Sequence, residues 1–271
     1  MIMIAIILIL IFTVGLYLIS TMCRKGHKGW SALRGWSYAH RGLHGNGIPE
    51  NSMRAFRRAK DTGFGIELDI HLLADGNLAV IHDSSLKRTA GADVLVEDLT
   101  TQQLDDYYLE NTLETIPQFS QVLQLFNGEA PLIVELKVYQ NNYAQLCEAA
   151  CNMLDNYKGA YCLESFDPRC ICWLRKNRPD MIRGQLSENY FKTDKCTLPW
   201  YLKFLLTWQM INFLTLPDFV AYRYSDRKHI SNFVARKIWS AQGVTWTIKD
   251  NKQYETAVAN DWIPIFEGFI P

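Results

Sequence analysis

Hydrophobic residues follow two patterns along this chain, one continuous and one interrupted. Residues 1 to 20 carry no charged side chain, and an apolar run of this length can cross the hydrocarbon core of a bilayer. From residue 37 onward, short apolar runs alternate with longer segments in which apolar residues recur at helical spacing. The pattern predicts one N-terminal helix followed by a domain of alternating strands and helices.

The alternating part contains eight candidate strands, several of them apolar on both faces, as in a sheet covered by helices. They are Ser37 to His40, Gly65 to Ile70, Leu132 to Val138, Ala160 to Phe166, Ile182 to Ser187, Phe219 to Tyr224, Gly243 to Ile248 and Pro264 to Phe269. Eight strand–helix units in about 240 residues predict an α/β fold of the (β/α)₈ TIM-barrel type. An open, doubly wound sheet is the structural alternative, because a strand count alone does not show that a sheet closes.

One hairpin interrupts the alternation. Asp75 and Gly76, after the second strand, are a strong signal for a two-residue turn, so the chain is expected to return antiparallel to that strand. The returning segment carries His82 toward the end of the first strand, where His40 lies. We therefore expect the two histidines at the same end of the barrel.

The N-terminal apolar run is expected to be an uncleaved membrane anchor. A cleaved signal peptide is the rival interpretation, but no basic residue precedes the run and no A-x-A site follows it. The predicted division is an anchor over residues 1–21, a basic juxtamembrane linker over 22–35 and a barrel domain over 36–271. Because basic residues such as Arg24 and Lys25 follow the helix, the positive-inside rule predicts a single-pass membrane protein whose barrel faces the cytoplasm.

Charge, motif content and cysteine content disfavour some ligands and one kind of compartment. The 28 Lys and Arg residues balance 28 Asp and Glu residues, so no overall field attracts nucleic acid. The chain has neither a P-loop nor a G-x-G-x-x-G turn that opens a helix, which disfavours a nucleotide site. The seven cysteines include no C-x-x-C pair, so we expect most of them to be small core residues in a reducing compartment.

Three carboxylates at strand positions predict a metal site. Glu67 and Asp69 are two residues apart on one strand, so both side chains leave by the same face. Glu135 occupies the matching position of the next main strand, and burying such acids without a cation would be costly. Oxygen donors without a thiolate suit a hard ion, so we expect one divalent cation, Mg²⁺ or Ca²⁺.

Histidines and basic residues beside these acids point to phosphate chemistry. His40 and His82 each end a strand, and a pair of imidazoles can accept one proton and donate another. Arg41 and Lys137 add positive charge of the kind that a phosphate group needs. We expect the histidines to be catalytic and the two cations to bind substrate.

Four further residues complete the candidate set. Trp246, near the C-terminal half of its strand, could line the substrate pocket, and Asn51 is grouped with it as substrate-binding. His44 lies in a loop from which it could contact substrate. His71 points to the opposite face from Asp69, so we expect it to be structural or solvent-facing.

A series of short motifs resembles the glycerophosphodiester phosphodiesterase family. "AHRG", "PENS", "ELDI", "DGNLAVIHD" and "VELK" occur in the order and at roughly the spacing found in that family, and the resemblance covers about residues 36 to 270. It implies a TIM barrel of the phospholipase C-like phosphodiesterase type, with a short insertion after the hairpin histidine. It also implies that the three carboxylates hold the metal and that His40 and His82 are the general acid and base. One departure is Glu267, where many members have an aspartate after the last strand.

The resemblance implies hydrolysis of glycerophosphodiesters to glycerol 3-phosphate and an alcohol. Two alternatives stay open: a lysophospholipase D-type enzyme that acts on lysophospholipids at the membrane, and an inactive membrane-tethered barrel. The aromatic segment from Tyr190 to Pro217 is expected to be the helix that packs on the fifth strand. Its alternative interpretation is an interfacial helix that holds the active site against the membrane.

Overall fold

The computed structural model of the chain describes residues 1–193 and 196–271, and its centre is a closed barrel. The strands are β1 (Tyr38–His40), β2 (Gly65–Leu72), β3 (Leu78–Val80), β4 (Leu132–Leu136), β5 (Tyr161–Ser165), β6 (Arg183–Ser187), β7 (Phe219–Arg223), β8 (Gln242–Ile248) and β9 (Trp262–Phe266). All except β3 pair in parallel, and β1 joins both β2 and β9. The predicted TIM barrel is confirmed, and the open sheet is excluded.

Helices fill the connections between the strands. They are α1 (Ile2–Ser20), α2 (Met53–Asp61), α3 (Lys87–Ala90), α4 (Phe119–Phe126), α5 (Tyr143–Leu154), α6 (Pro168–Asn177), α7 (Trp200–Thr207), α8 (Asn212–Thr215), α9 (Ile230–Phe233), which a π-helical turn Val234–Ile238 extends, and α10 (Asn251–Ala259). Helix α2 shows how the sequence sets a boundary: the Ser52 hydroxyl accepts a hydrogen bond from the Ala55 N–H and so caps the helix.

The hairpin after β2 has a three-residue loop, one residue longer than the predicted two-residue turn. The Leu73 N–H donates to the Asn77 carbonyl, and the Gly76 N–H donates to the Leu73 carbonyl. Gly76 has φ +83°, the left-handed conformation that closes a three-residue bulged loop. The antiparallel return of β3 is confirmed, whereas the predicted two-residue turn is wrong.

The last strand ends earlier than its predicted boundary. Strand β9 stops at Phe266 because the chain turns at Gly268, where φ is +83°. The Glu267 N–H still donates to the Ile248 carbonyl at 2.9 Å. This bond holds the Glu267 backbone against the C-terminal end of β8.

Two apolar layers hold the barrel together. The interior is filled by residues such as Tyr38, Ile133, Phe219 and Ile265, all buried. A larger cluster lies between the strands and the outer helices, and it includes Phe126 from α4. Each parallel strand is therefore covered on both faces, which explains the continuous apolar runs in the sequence.

The insertion between β3 and β4 builds a small core of its own. It contains α3 and three 3₁₀ turns, Val96–Asp98, Thr101–Asp106 and Leu109–Asn111. Its buried side chains pack together over the hairpin. His71 Nδ1 lies 2.7 Å from Glu97 Oε1, and the Ser84 hydroxyl donates to the other Glu97 oxygen at 2.6 Å. His71 joins the insertion to β2 and is buried, so of its two predicted roles, structural or solvent-facing, the structure supports the structural one.

The segment after α1 closes the end of the barrel at which the strands begin. The Arg24 Nε donates to Asp218 Oδ1 at 2.6 Å, just before β7. The Trp30 ring meets the Phe219 ring edge to face, with centroids 5.2 Å apart. Residues within the predicted linker therefore pack against the barrel.

Helix α1 contacts the barrel through its C-terminal end. The Tyr17 ring lies 5.9 Å from the Trp208 ring, and the Trp239 Nε1–H donates to the Leu18 carbonyl at 3.0 Å. No residue of α1 is buried. Among the described residues it is the one helix long and apolar enough to cross a membrane, a property that signal sequences share.

Candidate active site

The acidic centre of the site lies inside the barrel near the C-terminal ends of β2 and β4. Asp69 and Glu135 sit opposite each other in the strand register, and Glu67 precedes Asp69 by one pleat. All three carboxylates are at most 7% exposed, and one oxygen from each can be chosen so that all lie within 4.8 Å of one another. The structure therefore brings together the three residues predicted as metal ligands.

Two cations and one amide contact this centre. The Lys137 Nζ lies 3.0 Å from Asp69 Oδ1 and 2.8 Å from Glu135 Oε1. The Arg41 Nε lies 3.4 Å from Asp69 Oδ2. The Asn51 amide donates to Asp69 Oδ2 at 2.9 Å, so Asn51 supports an acid of the centre.

These contacts separate the pKa values of the three acids. Burial and the neighbouring carboxylates hold the pKa of Glu67 well above its usual range. Burial also opposes ionisation of Asp69, but Lys137 and Arg41 lower its pKa far below the usual range. Burial raises the pKa of Glu135 to about 7, although Lys137 opposes the shift. The raised pKa values of Glu67 and Glu135 show that full ionisation of all three acids would need positive charge in addition to Lys137 and Arg41.

The donor set fits a hard divalent cation. Oxygen atoms suit Mg²⁺ and Ca²⁺, and the three carboxylates supply them at close range. Within the described residues, Asn51 Oδ1 is buried without a hydrogen-bond donor. Buried polar atoms of this kind are uncommon, and they leave acceptor capacity for an ion.

His40 is held by a carboxylate from the neighbouring strand end, because Glu267 directly follows β9 and β9 pairs with β1. Its Nδ1 lies 2.6 Å from Glu267 Oε2, and its Nε2 lies 3.8 Å from Glu67 Oε2. The Lys249 Nζ contacts the other Glu267 oxygen at 2.8 Å. Burial lowers the pKa of His40, although the bond to Glu267 opposes the shift. Glu267, which the sequence marked as a departure, thus orients a predicted catalytic residue.

His82 has a similar partner. Its Nδ1 lies 2.6 Å from Asp83 Oδ1, and Asp83 is bonded in turn to Arg88. Arg88 and Arg41 both donate to Glu50 Oε1, at 2.6 Å and 3.0 Å. Burial lowers the pKa of His82 to about 4. A chain of ion pairs therefore links the hairpin histidine to Arg41.

A small cavity lies where these groups converge. Its walls are formed by His40, Arg41, Glu67, His82, Glu135, Glu164, Phe166, Leu186, Trp246 and Ile265. The Trp246 ring meets the Phe166 ring edge to face at 5.5 Å. The two histidines, two of the acids and Trp246 share this cavity, whereas Asn51 and Lys137 lie behind its wall, bonded to Asp69.

Sequence reasoning missed Glu164. It pairs with Glu135 in the register of β4 and β5, so Asp69, Glu135 and Glu164 form one row across three strands. Glu164 is 1% exposed, and burial raises its pKa well above the usual range. The one feature of the sequence that could have indicated Glu164 is its position as an acid inside the apolar run "YCLES". Many strands end in this way, so the feature is not specific. His44, the loop candidate, lies at the edge of the site, 3.9 Å from Glu267.

Comparison with known proteins places the chain in a family. The family model described as "Glycerophosphoryl diester phosphodiesterase family" matches residues 40–257, well over half of the chain. The chain belongs to the glycerophosphodiester phosphodiesterase family. The predicted resemblance is confirmed, and the family name describes phosphoric diester hydrolases.

Individual members of the family agree with this assignment. A glycerophosphodiester phosphodiesterase of Caldanaerobacter subterraneus is 36% identical over 178 residues, which are 60% of this chain. Lysophospholipase D GDPD1 of Rattus norvegicus is 32% identical over 133 residues, which are 44% of this chain. Among three curated relatives, the matched part spans 41% to 69% of the relative's own length.

Solved structures support the fold. A phosphodiesterase of Oleispira antarctica, in complex with the product sn-glycerol-3-phosphate, superimposes with a TM-score of 0.72. The match covers 88% of this chain and 94% of that chain at 19% identity. At this identity the likeness shows that both chains share the barrel.

Proposed function

We propose that this family member hydrolyses glycerophosphodiesters to glycerol 3-phosphate and an alcohol at the cavity between His40 and His82. The observation that carries the proposal is the convergence of two carboxylate-bound histidines on a buried three-carboxylate centre. Relatives named for this activity support the substrate class. The complex of the Oleispira antarctica protein with sn-glycerol-3-phosphate supports the product.

Glu67, Asp69 and Glu135 would hold one Mg²⁺ or Ca²⁺ ion. When bound, the ion supplies positive charge that neutralises the phosphate as negative charge develops in the transition state. Arg41, in the cavity wall, adds charge at the same phosphate. Lys137 balances the acids from behind and so limits the cost of burying them.

The histidines would move the protons. Burial lowers the pKa values of both imidazoles and so favours their uncharged forms. One neutral imidazole accepts the proton of the nucleophile, which is a water molecule or the glycerol hydroxyl of the substrate; in the second case water then opens the resulting cyclic phosphate. The other, whose pKa rises beside the anionic phosphate, donates a proton to the leaving alkoxide. In each ring Nδ1 faces a carboxylate, which leaves Nε2 for the substrate.

Lysophospholipase D-type activity is the second candidate. The rat relative bears that name, and the N-terminal apolar helix would place the barrel beside lipid. We propose the domain division given above, with the barrel on the cytoplasmic side of the membrane. The basic residues after α1 support that orientation.

Product release from two substrates tests these candidates. The full chain should be supplied with glycerophosphocholine or lysophosphatidylcholine, each with EDTA, Mg²⁺ or Ca²⁺. Cation-dependent glycerol 3-phosphate from the first substrate supports the proposal, whereas turnover of only the second assigns the lysophospholipase D activity. No turnover of either by folded protein would contradict both activities and favour an inactive barrel.

A further inference from the structure

An aromatic surface of the barrel lies beside the N-terminal helix, and the proposed chemistry does not use it. On α7, Trp200 is 73% exposed, Tyr201 50% and Phe204 39%. Phe213 and Leu214 of α8 are 41% and 48% exposed. We call Trp200, Tyr201 and Phe204 the aromatic face. Exposed apolar side chains clustered in this way are typical of surfaces that bind a partner or a membrane.

The aromatic face is continuous with α1. The Phe204 ring contacts the Trp208 ring with centroids 5.7 Å apart, and Trp208 contacts Tyr17 of α1 at 5.9 Å. Residues 200, 204 and 208 recur at the four-residue spacing of one helix stripe. The stripe leads from the exposed tryptophan directly to the last turns of the apolar helix.

The same helix is anchored near the opening of the active site. The Ser187 hydroxyl, at the C-terminal end of β6, donates to the Leu206 carbonyl at 2.9 Å. The Tyr222 hydroxyl, near the C-terminal end of β7, donates to the Thr207 carbonyl at 3.1 Å. Because the site also lies at the C-terminal ends of the strands, α7 belongs to the rim around it.

The chemistry of this segment fits a lipid surface. Between residues 196 and 217, Lys203 is the sole charged residue in the sequence, and no acid is present to repel anionic headgroups. Tryptophan and tyrosine favour the headgroup layer, where the ring is partly buried and its polar atom stays hydrated. A helix that exposes such residues on one face can lie in the plane of the interface.

We infer that Trp200, Tyr201 and Phe204 form a second membrane contact, in the headgroup layer of the bilayer that α1 enters. The rim of the active site then rests on lipid, and substrates with an acyl chain can reach the cavity from the bilayer. The membrane contact of the aromatic face does not depend on the proposed hydrolysis. The effect of this contact on substrate choice, in contrast, rests on the proposed function.

Depth-dependent quenching tests the contact without any assay of activity. The full chain is reconstituted in phosphatidylcholine vesicles whose acyl chains are brominated near the headgroup, and tryptophan emission is compared with that in unbrominated vesicles. Trp200→Phe should show at least about twofold less quenching than the wild type. Trp36→Phe is the matched control, because Trp36 lies beside β1 at the other end of the barrel, and it should be quenched like the wild type.

Two outcomes would overturn the inference. One is equal quenching of the wild type and Trp200→Phe, which would show that Trp200 does not meet lipid. The other is failure of the full chain to float with the vesicles, which would leave the aromatic face for a protein partner or a second copy. Trp200→Phe changes one exposed side chain conservatively, so folding should not obscure the comparison.

Kinetics test the consequence for substrate choice. Changing Trp200, Tyr201 and Phe204 together to serine should lower kcat/KM about tenfold for lysophosphatidylcholine in vesicles, with glycerophosphocholine turnover unchanged. Leu113→Ser with Val258→Ser is the control, since both residues are exposed and apolar but lie in the insertion and on α10. Equal effects on the two substrates would contradict the role in substrate access. A wild type inactive on both would refute the proposed function and leave the quenching result standing.

Discussion

At the residue scale, the two histidines of the cavity share one arrangement although they arrive by different routes. His40 ends β1 and meets Glu267 from beyond β9, whereas His82 follows β3 and meets its own neighbour Asp83. In both rings a carboxylate at Nδ1 favours the tautomer with a free Nε2. The arrangement is suited to moving protons at one substrate from two sides.

Replacing either histidine tests this arrangement. His40→Ala and His82→Ala should each lower kcat for glycerophosphocholine by about 10² to 10⁴, the usual contribution of general acid–base catalysis. His27→Asn should leave the rate unchanged, because His27 lies before the barrel and contacts the Asp180 carbonyl. Near-normal turnover by His40→Ala would remove it from the mechanism.

Glu267 should act through His40 as a positioning residue. Glu267→Gln keeps the size of the side chain but removes the charge that fixes the imidazole, so kcat should fall about tenfold with little change in KM. The readout is the separation of kcat from KM. Glu255→Gln, at an exposed position on α10, is the matched control. A raised KM with unchanged kcat would instead place Glu267 in substrate binding.

Some of these site residues could be predicted from the sequence, and others could not. Glu67, Asp69, His40 and His82 stand in compact motifs, so spacing and strand period were sufficient to group them. Glu164 joins them through the register between β4 and β5, and that register follows from barrel closure. No local pattern in the sequence encodes such a register.

At the element scale, the hairpin and the insertion form a support for His82. The insertion packs its own apolar core and binds β2 through the His71–Glu97 pair. The antiparallel return was readable from Asp75 and Gly76, but the loop length was not, because two- and three-residue loops share these turn residues. The position of His82 therefore depends on elements outside the cavity.

Acid should loosen the insertion. Burial opposes ionisation of Glu97, but hydrogen bonds from His71 and Ser84 lower its pKa below the usual value. Because the pKa of Glu97 is lower in the folded protein than in the unfolded chain, where it is about 4.3, ionised Glu97 stabilises the fold above that pH. This stabilisation is lost as the pH falls through the pKa of Glu97 in the folded protein. Hydrogen-exchange protection factors across residues 84–116 should fall below about pH 4.3. The same drop in Glu97→Gln would contradict this cause.

The segment after α1 closes the end of the barrel at which the strands begin, here called the barrel floor, and it should contribute strongly to stability. Arg24→Ala leaves Asp218, 1% exposed, without its ion-pair partner, and should lower the free energy of unfolding by about 3 kcal/mol. Denaturant unfolding followed by tryptophan fluorescence measures the change. Arg34→Ala, which removes an exposed hydrogen bond to Gln242, should change the free energy by less than about 0.5 kcal/mol. Equal values for the two variants would show that the floor contact is not stabilising.

At the scale of the whole molecule, the alternation of strands and helices was sufficient to predict the barrel. The number of apolar runs matched the eight barrel strands, although closure depends on the pairing of β1 with both β2 and β9. The packing of residues 22–35 against the floor was not predictable from their composition, which resembles a soluble linker. The whole protein thus combines an apolar N-terminal helix, an aromatic surface at the rim of the barrel and the site of a phosphodiesterase family.

The most direct test of metal-dependent hydrolysis at this site is phosphorus NMR of glycerophosphocholine incubated with the full chain, beside the variant Asp69→Asn. We expect the diester signal to be replaced by that of glycerol 3-phosphate when Mg²⁺ or Ca²⁺ is present, and EDTA to prevent the change. Asp69→Asn should be slower by at least about 10², because the centre loses the acid that Lys137, Arg41 and Asn51 all contact. Turnover that survives both EDTA and Asp69→Asn would contradict a metal-dependent site at these carboxylates.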